Sequence, residues 1–561
     1  MCHANNAIHR NYPTFASVLK GPFYGDSPSG LTIYERAITK KQKIMNTLKT
    51  QKVSLGEKIG YSLGDASANL VFQMMMIFQL KFYTDVFGLD GAIAGSVLLI
   101  ARVVDAFVDP AVGILSDRTN SRWGKYRPWV LWTALPFCVF YVLAFYNPGI
   151  EDKGLVALYA TISYILLMTL YSFNNTPYSS LGGVMTGDIK ERTSITSIRF
   201  VAATIAQFVV QGLTLPLVNK FGQGDQQQGW LYTIGLFAAV AFVFLVIAFA
   251  SSRERITPPP SQKTDIKADI KDTIKSVPWR AMFVLTLFIF ITLAMWGSAM
   301  SFYFQYAIDQ TMLYRFLENI GLADPDNVRT GVWASILGAF NLIAHQESDA
   351  YSIGFSLFNM VGAIVQFLGV IFLSEYLANR FGKKQTFIVC LSLTAIFTAL
   401  FFVPTSVDVE IIFVLCILKS LAYAPTVPLL WAMIGDVADH VEYVHHRRAT
   451  GFCFSGVVFA LKAGLGLGGA FAGLILSAFN YESGNVATQS DMAIDGIRLV
   501  SSIVPAILFG IGVVALFFYP ITKEYNEHMQ AELAKRREFD EIIARQQREM
   551  EEYESIHGKQ E

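Results

Sequence analysis

Charge is what this 561-residue chain has least of. Only 16% of its residues are Asp, Glu, Lys or Arg, against about 25% in a typical soluble domain. The 44 acidic and 44 basic residues cancel, so no basic surface for nucleic acid is expected. Cysteine is scarce as well. Cys2, Cys138, Cys390, Cys416 and Cys453 are scattered, four of them in or beside apolar runs. They form neither a disulfide framework nor a metal-ligand spacing, so no metal site is expected. No nucleophile–base–orienter set stands out, which argues against an enzyme, and no cofactor is expected. Residues 1–57 contain no apolar stretch of the kind a secretory leader needs. They read as a disordered cytoplasmic tail, and Met45 is an alternative start.

Apolar residues fill the space that charge leaves: 53% hydrophobic, 14% aromatic, mean hydropathy +0.41. The class is a polytopic membrane protein. Runs of about 20 apolar residues predict twelve spans, at roughly 58–83, 91–115, 128–147, 155–181, 196–218, 229–251, 280–307, 351–376, 385–404, 409–434, 450–478 and 497–520. Lys and Arg cluster after the even-numbered spans, as in Arg118, Arg122, Lys125 and Arg127 after span 2. The odd loops are poor in them, with Lys153, Lys220, Arg315 and Arg329. The positive-inside rule therefore places the even loops and both termini in the cytoplasm, and a bacterial inner membrane is the expected location.

The chain repeats itself at half length. The basic loop DRTNSRWGKYR after span 2 is echoed by ANRFGKK after span 8, and Gly187–Asp188 after span 4 by Gly435–Asp436 after span 10. Each match joins spans six apart. The expected domains are an N-terminal bundle at 58–251, a linker at 252–279 containing Pro258, Pro259 and Pro260, and a C-terminal bundle at 280–521. An outward insertion at 308–350 and a charged tail at 522–561 complete the layout. This predicts an all-α major facilitator fold: twelve transmembrane helices in two six-helix bundles around a midplane site.

Against that apolar background a few polar residues stand out. Span 2 reads ARVVDAFVDP. Asp105 and Asp109 lie one turn apart on one face, with Arg102 a turn earlier. A carboxylate at mid-membrane costs roughly 2.5–3.5 kcal/mol on insertion scales. A pair must therefore be neutralised by a proton, a cation or a basic partner. Span 1 carries Asp65, Asn69 and Gln73 at intervals of four, a stripe suited to a wet cavity or to hydrogen bonds between helices. In span 4, Asn174, Asn175 and Thr176 precede Pro177 and Tyr178, where a local break is plausible. Arg199 in span 5 has the fork for a sugar or for Asp105 and Asp109. Lys462 in span 11 is followed by Gly464, Gly466, Gly468 and Gly469, residues that permit close helix approach. Lys419 in span 10 either needs a partner or snorkels to an interface. Trp296 and Tyr303 in span 7 offer stacking faces. Arg127, Asp436, Asp439, Glu442 and Arg448 read as an ion-pair cluster that bridges the halves at the cytoplasmic edge, and His445–His446 is only a weak metal signal.

The stretches FYTDVFGL at 82–89, ARVVDAFVDPAVGILSDRT followed by SRWGKYRPW, and GDVADHVEYVHHRRATGF followed by Lys462 resemble the glycoside–pentoside–hexuronide:cation symporters of the major facilitator superfamily, over roughly residues 58–521. The resemblance implies uptake of a sugar or glycoside with H⁺, Na⁺ or Li⁺ by alternating access. It implies that Asp105 and Asp109 hold the cation, that Arg199 stands beside the sugar, and that Lys462 lies near the cation site. The remaining candidate substrate contacts are Asn69, Gln73, Asn175, Tyr178, Trp296 and Tyr303. Where the family's sodium-using galactoside carrier has aspartates in spans 1 and 4, this chain has Asn69 and Asn175, and Ser179 replaces a stacking aromatic. Val108 stands where that relative has Asn, which removes one oxygen ligand and favours H⁺ over Na⁺. A monomer is expected. A carrier of a non-sugar solute, such as a lysolipid or nucleoside, and a non-transporting membrane sensor are the alternatives.

Overall fold

The computed structural model describes residues 52–186, 188–255, 273–325, 331–445, 450–484 and 488–536. Most of the 1–57 tail, most of the 252–279 linker and residues 537–561 lie outside the described residues. Helices follow the apolar runs. The first bundle comprises α1 (Leu55–Ile77), α2 (Gly91–Arg118), α3 (Arg127–Leu143), α4 (Lys153–Val184), α5 (Ile189–Gly222) and α6 (Gln226–Ser251). After α7 (Val277–Phe302), two short helices, α8 (Gln310–Asn319) and α9 (Val332–Ala339), form inside the long loop. The second bundle continues with α10 (Ala350–Phe381), α11 (Lys383–Leu400), α12 (Val409–Tyr423), α13 (Thr426–His445), α14 (Thr450–Ala478), α15 (Asp491–Ser501) and α16 (Ile503–Phe517). Among the described residues, ten stretches are long and apolar enough to cross a bilayer. The shorter α3, and α1 with its polar stripe, complete the twelve spans.

Two expected spans are broken. The tenth divides at Ala424–Pro425 into α12 and α13, because proline lacks the N–H that would continue the ladder. The twelfth divides at Ser502, whose φ of −136° leaves the helical region, three residues before Pro505. The break expected beside Pro177 does not occur: α4 runs through it unbroken. Asn174 does not serve the freed carbonyl there. It is buried and donates to Thr133 Oγ1 (2.8 Å) and Val130 O (3.3 Å) of α3.

The bundles meet along two seams, α2 against α14 and α5 against α10. Small residues set the first seam. A Cβ on Gly95 would lie 2.9 Å from Ala470 Cα, and one on Gly466 would lie 2.7 Å from Arg102 Cβ. The glycine run of α14 serves both its neighbours, since Gly464 and Gly468 abut α7 instead.

The hydrogen bonds described between the bundles lie at mid-depth and at one end, the end opposite the basic loops. Both bundles finish their first helix there in a π-helical turn, Phe82–Val86 after α1 and Tyr303–Ala307 after α7. Lys81 and Phe302 immediately precede the two turns, and Asp85 and Tyr306 hold the fourth position in each. These equivalent residues meet. Lys81 Nζ bonds Asp85 at 2.7 Å and contacts Gln305, with the rings of Phe302, Tyr351 and Tyr306 at 4.8, 5.4 and 5.7 Å. Asp85 also accepts from Tyr481 Oη at 2.7 Å. Around this buried pair, Gly484 N donates to Thr84 O, Ser483 Oγ to Leu89 O and Asn219 Nδ2 to Ser352 Oγ.

At the basic-loop end each bundle binds itself. Glu254 accepts from the backbone N–H groups of Lys125, Tyr126 and Arg127. Gly124, at φ 109°, makes room for that carboxylate. Arg255 holds Glu57 through both nitrogens at 2.7 Å, and Lys58 holds Glu191 at 2.8 Å.

Removing one partner of a buried pair costs roughly 3–5 kcal/mol. Asp85→Asn is therefore expected to open the sealed end. Spin labels on Gln227 and Gln346, one in each bundle, should shift to longer separations in the variant. Unchanged distance distributions would show that the pair does not hold the seal.

Candidate functional site

Between the two seams, at mid-depth, lies a charge set drawn from both bundles. Asp105 on α2 is fully buried. It accepts from Ser172 Oγ of α4 at 2.5 Å and from Lys462 Nζ of α14 at 2.9 Å. The same ammonium contacts Asp109, one turn on. The helical spacing of the two aspartates delivers both carboxylates to one point, and the small residues of α14 bring Lys462 close enough to bridge them. Asp109 Oδ1 is buried and has no hydrogen-bond partner among the described residues. One cation thus serves two carboxylates across the interface between bundles. Arg102, buried on α2, lies near Tyr164 and Tyr171 of α4.

The second charged group lies inside the first bundle. Arg199 on α5 grips Asp65 on α1 with Nε at 2.6 Å and Nη2 at 3.2 Å. Its guanidinium lies 5.5 Å from the Tyr61 ring and 5.1 Å from the Tyr178 ring. Those rings stack at 4.6 Å, and each hydroxyl donates to the other residue's carbonyl at 2.8 Å. Tyr178 Oη also accepts from Asp65 N. Of the two counter-charges expected for Asp105 and Asp109, the structure gives them Lys462 and assigns Arg199 to Asp65. The bidentate geometry and the aromatic bed explain that choice.

The polar stripe continues along α1. Asn69 is half-buried and donates to Asp65 O of its own helix. Gln73 accepts from Gln211 of α5 at 3.4 Å. Asn175 is half-buried, on the turn where Asn174 faces α3. Trp296 of α7 is half-buried, whereas Tyr303 is buried and donates to Phe401 O at 3.3 Å. Lys419 does not snorkel: it is buried with its Nζ over the Trp296 ring.

The expected bridging cluster at the basic-loop end is arranged differently. Arg127 donates to Phe249 O within the first bundle. Asp436 takes Lys383 at 2.7 Å within the second bundle, and Asp439 accepts from Gln530 of the C-terminal tail at 2.8 Å. Glu442 lies three residues before the end of α13 and is half-buried, and Arg448 lies outside the described residues. Four contributing residues were missed by sequence reading. Ser172 carries no distinguishing spacing. Tyr61 sits one turn before Asp65, a signal that could have been used. Lys81 and Asp85 are an i, i+4 pair of opposite charge.

Two helical bundles that meet at a mid-membrane ion set, sealed at one end and self-bound at the other, define a secondary carrier. The chain belongs to the MFS/sugar transport protein family, which it matches over residues 60–322 and 330–523; it is a multi-pass membrane transporter and not an enzyme. It is 34% identical over 493 residues to the inner membrane symporter YicJ of Escherichia coli, covering 87% of this chain and 96% of that one. It is 31% identical to the putative glycoside/cation symporter YagG of the same organism, with the same coverage. The isoprimeverose transporter of Lactiplantibacillus pentosus is 30% identical over 88% of this chain and 95% of its own. Among solved structures, a bacterial homologue of the lysosomal transporter Spinster superposes with a TM-score of 0.56 at 14% identity, over 84% of this chain and 97% of that one. That likeness supports the fold alone.

Lys462→Met would strand a buried and a half-buried carboxylate one turn apart. The purified variant is expected to unfold at a lower temperature than the parent. The triple variant Asp105→Asn, Asp109→Asn, Lys462→Met should recover part of the loss. Equal melting temperatures for the single variant and the parent would contradict the shared-cation arrangement.

Proposed function

We propose that the protein takes up a sugar or glycoside together with a proton by alternating access, acting as a monomer in a bacterial inner membrane with both termini cytoplasmic. The observation that carries this reading is Lys462 of one bundle bridging Asp105 and Asp109 of the other. A cation arriving at these carboxylates competes with Lys462 for them. Protonation of Asp109 loosens the bridge and frees the α2–α14 seam to move. The relatives, which include a putative glycoside/cation symporter and an isoprimeverose transporter, support a sugar or glycoside as cargo. The excess of Lys and Arg after the even-numbered spans supports placing the basic-loop end in the cytoplasm. The sealed end then faces outward, and this conformation faces inward.

A proton is favoured over sodium by the ligands on hand. Sodium needs several oxygens, whereas Val108 beside Asp109 supplies no side-chain oxygen and Lys462 occupies the space between the carboxylates. A proton needs one carboxylate. The sugar hydroxyls are assigned to Asn69, Gln73 and Asn175, with Arg199 and Tyr178 behind them, Lys462 at the cation side, and Trp296 and Tyr303 on the opposite bundle. When the carrier faces outward, Arg127 approaches Asp436, Asp439 and Glu442 to close the cytoplasmic end.

Uptake of a panel of sugars by energised vesicles, under separately imposed H⁺ and Na⁺ gradients, tests the reading. Accumulation driven by a proton gradient is expected. Asp109→Asn should abolish uphill accumulation while retaining exchange of labelled for unlabelled sugar. Normal uphill accumulation by Asp109→Asn, or driving by sodium alone, would overturn proton coupling at this site.

A further inference from the structure

Three lysines are buried among the described residues: Lys58, Lys81 and Lys419. The first two hold carboxylates, Glu191 and Asp85. Lys419 holds none. It is 7% exposed on α12, and its Nζ lies 2.9 Å from the centre of the Trp296 ring on α7. Among the described residues no acceptor reaches that ammonium. The indole Nε1 of Trp296 is also buried and also lacks an acceptor.

A ring face attracts a cation, but it does not fill the hydrogen-bond donors of an ammonium, and it leaves the indole N–H untouched. Adjacent buried donors without an acceptor are costly. Such groups in a native fold call for an explanation, and a ligand is one. Their complement is an acceptor with two oxygens and a negative charge.

The position suits a transported solute. Lys419 lies ten residues into α12 from Val409, and Trp296 eleven residues from the end of the π turn at Ala307. At 1.5 Å per residue each sits about 15 Å from the sealed end, close to the middle of a 30 Å apolar layer. The next residues of α7 touch the other bundle: a Cβ on Gly297 would lie 3.9 Å from Ile77, and Ser298 Oγ donates to Met76 O at 3.1 Å. Ile77 is one turn beyond Gln73. The two donors therefore stand near the end of the polar stripe of α1, in the facing bundle. The other mid-depth cations are occupied. Lys462 has Asp105 and Asp109, Arg199 has Asp65, and Arg102 is turned towards the tyrosines of α4.

We propose that Lys419 and Trp296 form an anion subsite in the transport path that takes the carboxylate of an acidic sugar. One carboxylate oxygen accepts from Lys419 Nζ and the other from Trp296 Nε1, while the sugar ring lies towards Asn69 and Gln73. The half-buried Trp296 ring is the side from which the solute reaches the pair. A neutral glycoside brings only a hydroxyl oxygen to the two donors and no charge to the ammonium. The assignment rests on the sugar-symport reading and narrows its cargo.

The test is uptake by energised vesicles of matched pairs that differ only at C6, methyl glucuronide against methyl glucoside and methyl galacturonide against methyl galactoside. The parent protein is expected to favour the acid by roughly 100-fold in kcat/KM, because the neutral analogue leaves a buried donor unpaired and the ammonium without its counter-charge. Lys419→Gln should erase most of that preference, Lys419→Arg should keep it, and Trp296→Phe, which retains a ring but removes the N–H, should reduce it several-fold. A parent protein that carries only the neutral sugars, or a Lys419→Gln variant that lowers acid and neutral uptake alike, overturns the subsite and leaves the symporter reading standing. No uptake of any sugar under any gradient overturns the symporter reading itself.

Discussion

A carboxylate buried in the apolar layer must be matched, and the match at mid-depth comes from the other half of the molecule. Lys462 reaches across the seam to Asp105 and Asp109. Much else is arranged to permit that contact. Small residues on α2 and α14 allow the backbones to approach, Ser172 fills an acceptor site on Asp105, and the turn spacing of the aspartates makes one ammonium sufficient for both. A charge set that belongs to neither bundle alone links occupancy of the ion site to the relation between the bundles. That linkage is what a coupled carrier requires, because a ligand shifts a conformational equilibrium only through unequal interaction with its states.

The sealed end uses the internal repeat of the chain in a second way. The two π turns occupy equivalent places, yet one is entered by a lysine and the other by a phenylalanine. The repeat thus brings a cation onto aromatic rings at the pseudo-symmetric meeting point, with Asp85 and Tyr481 completing the enclosure. At the opposite end Glu254, Arg255, Lys58 and Lys383 are spent within their own bundles. Polar contact between the halves is therefore concentrated towards one end, as expected for bundles that rock about a central site.

The spans were legible in the sequence because length and apolarity are what a bilayer demands of a helix. The i, i+4 relations were legible for the same geometric reason: Asp105 with Asp109, and the stripe from Asp65 to Gln73. Contacts across helices were only partly legible. Lys462 was placed near the cation site by family resemblance, whereas Arg199 was matched to a sugar or to Asp105 and Asp109 and took Asp65 instead, because spacing along a chain does not choose among carboxylates on different helices. Proline positions misled in both directions. Pro177 is absorbed by α4, while Pro425 divides its span. Lys81 and Asp85 escaped notice because they stood where the first span was expected to end, and charge at a span end is ordinary. Lys419 was ambiguous until its depth and its ring partner were visible.

The central claim is that a proton at the Asp105–Asp109–Lys462 set and a sugar in the adjoining space are taken up together. The most direct measurement is the pH change when sugar is added to the purified protein in weakly buffered solution. The account predicts uptake of one proton per sugar bound by the parent protein, and none by a variant in which Asp109 can no longer titrate. Saturable sugar binding by the parent protein with no proton taken up would contradict it.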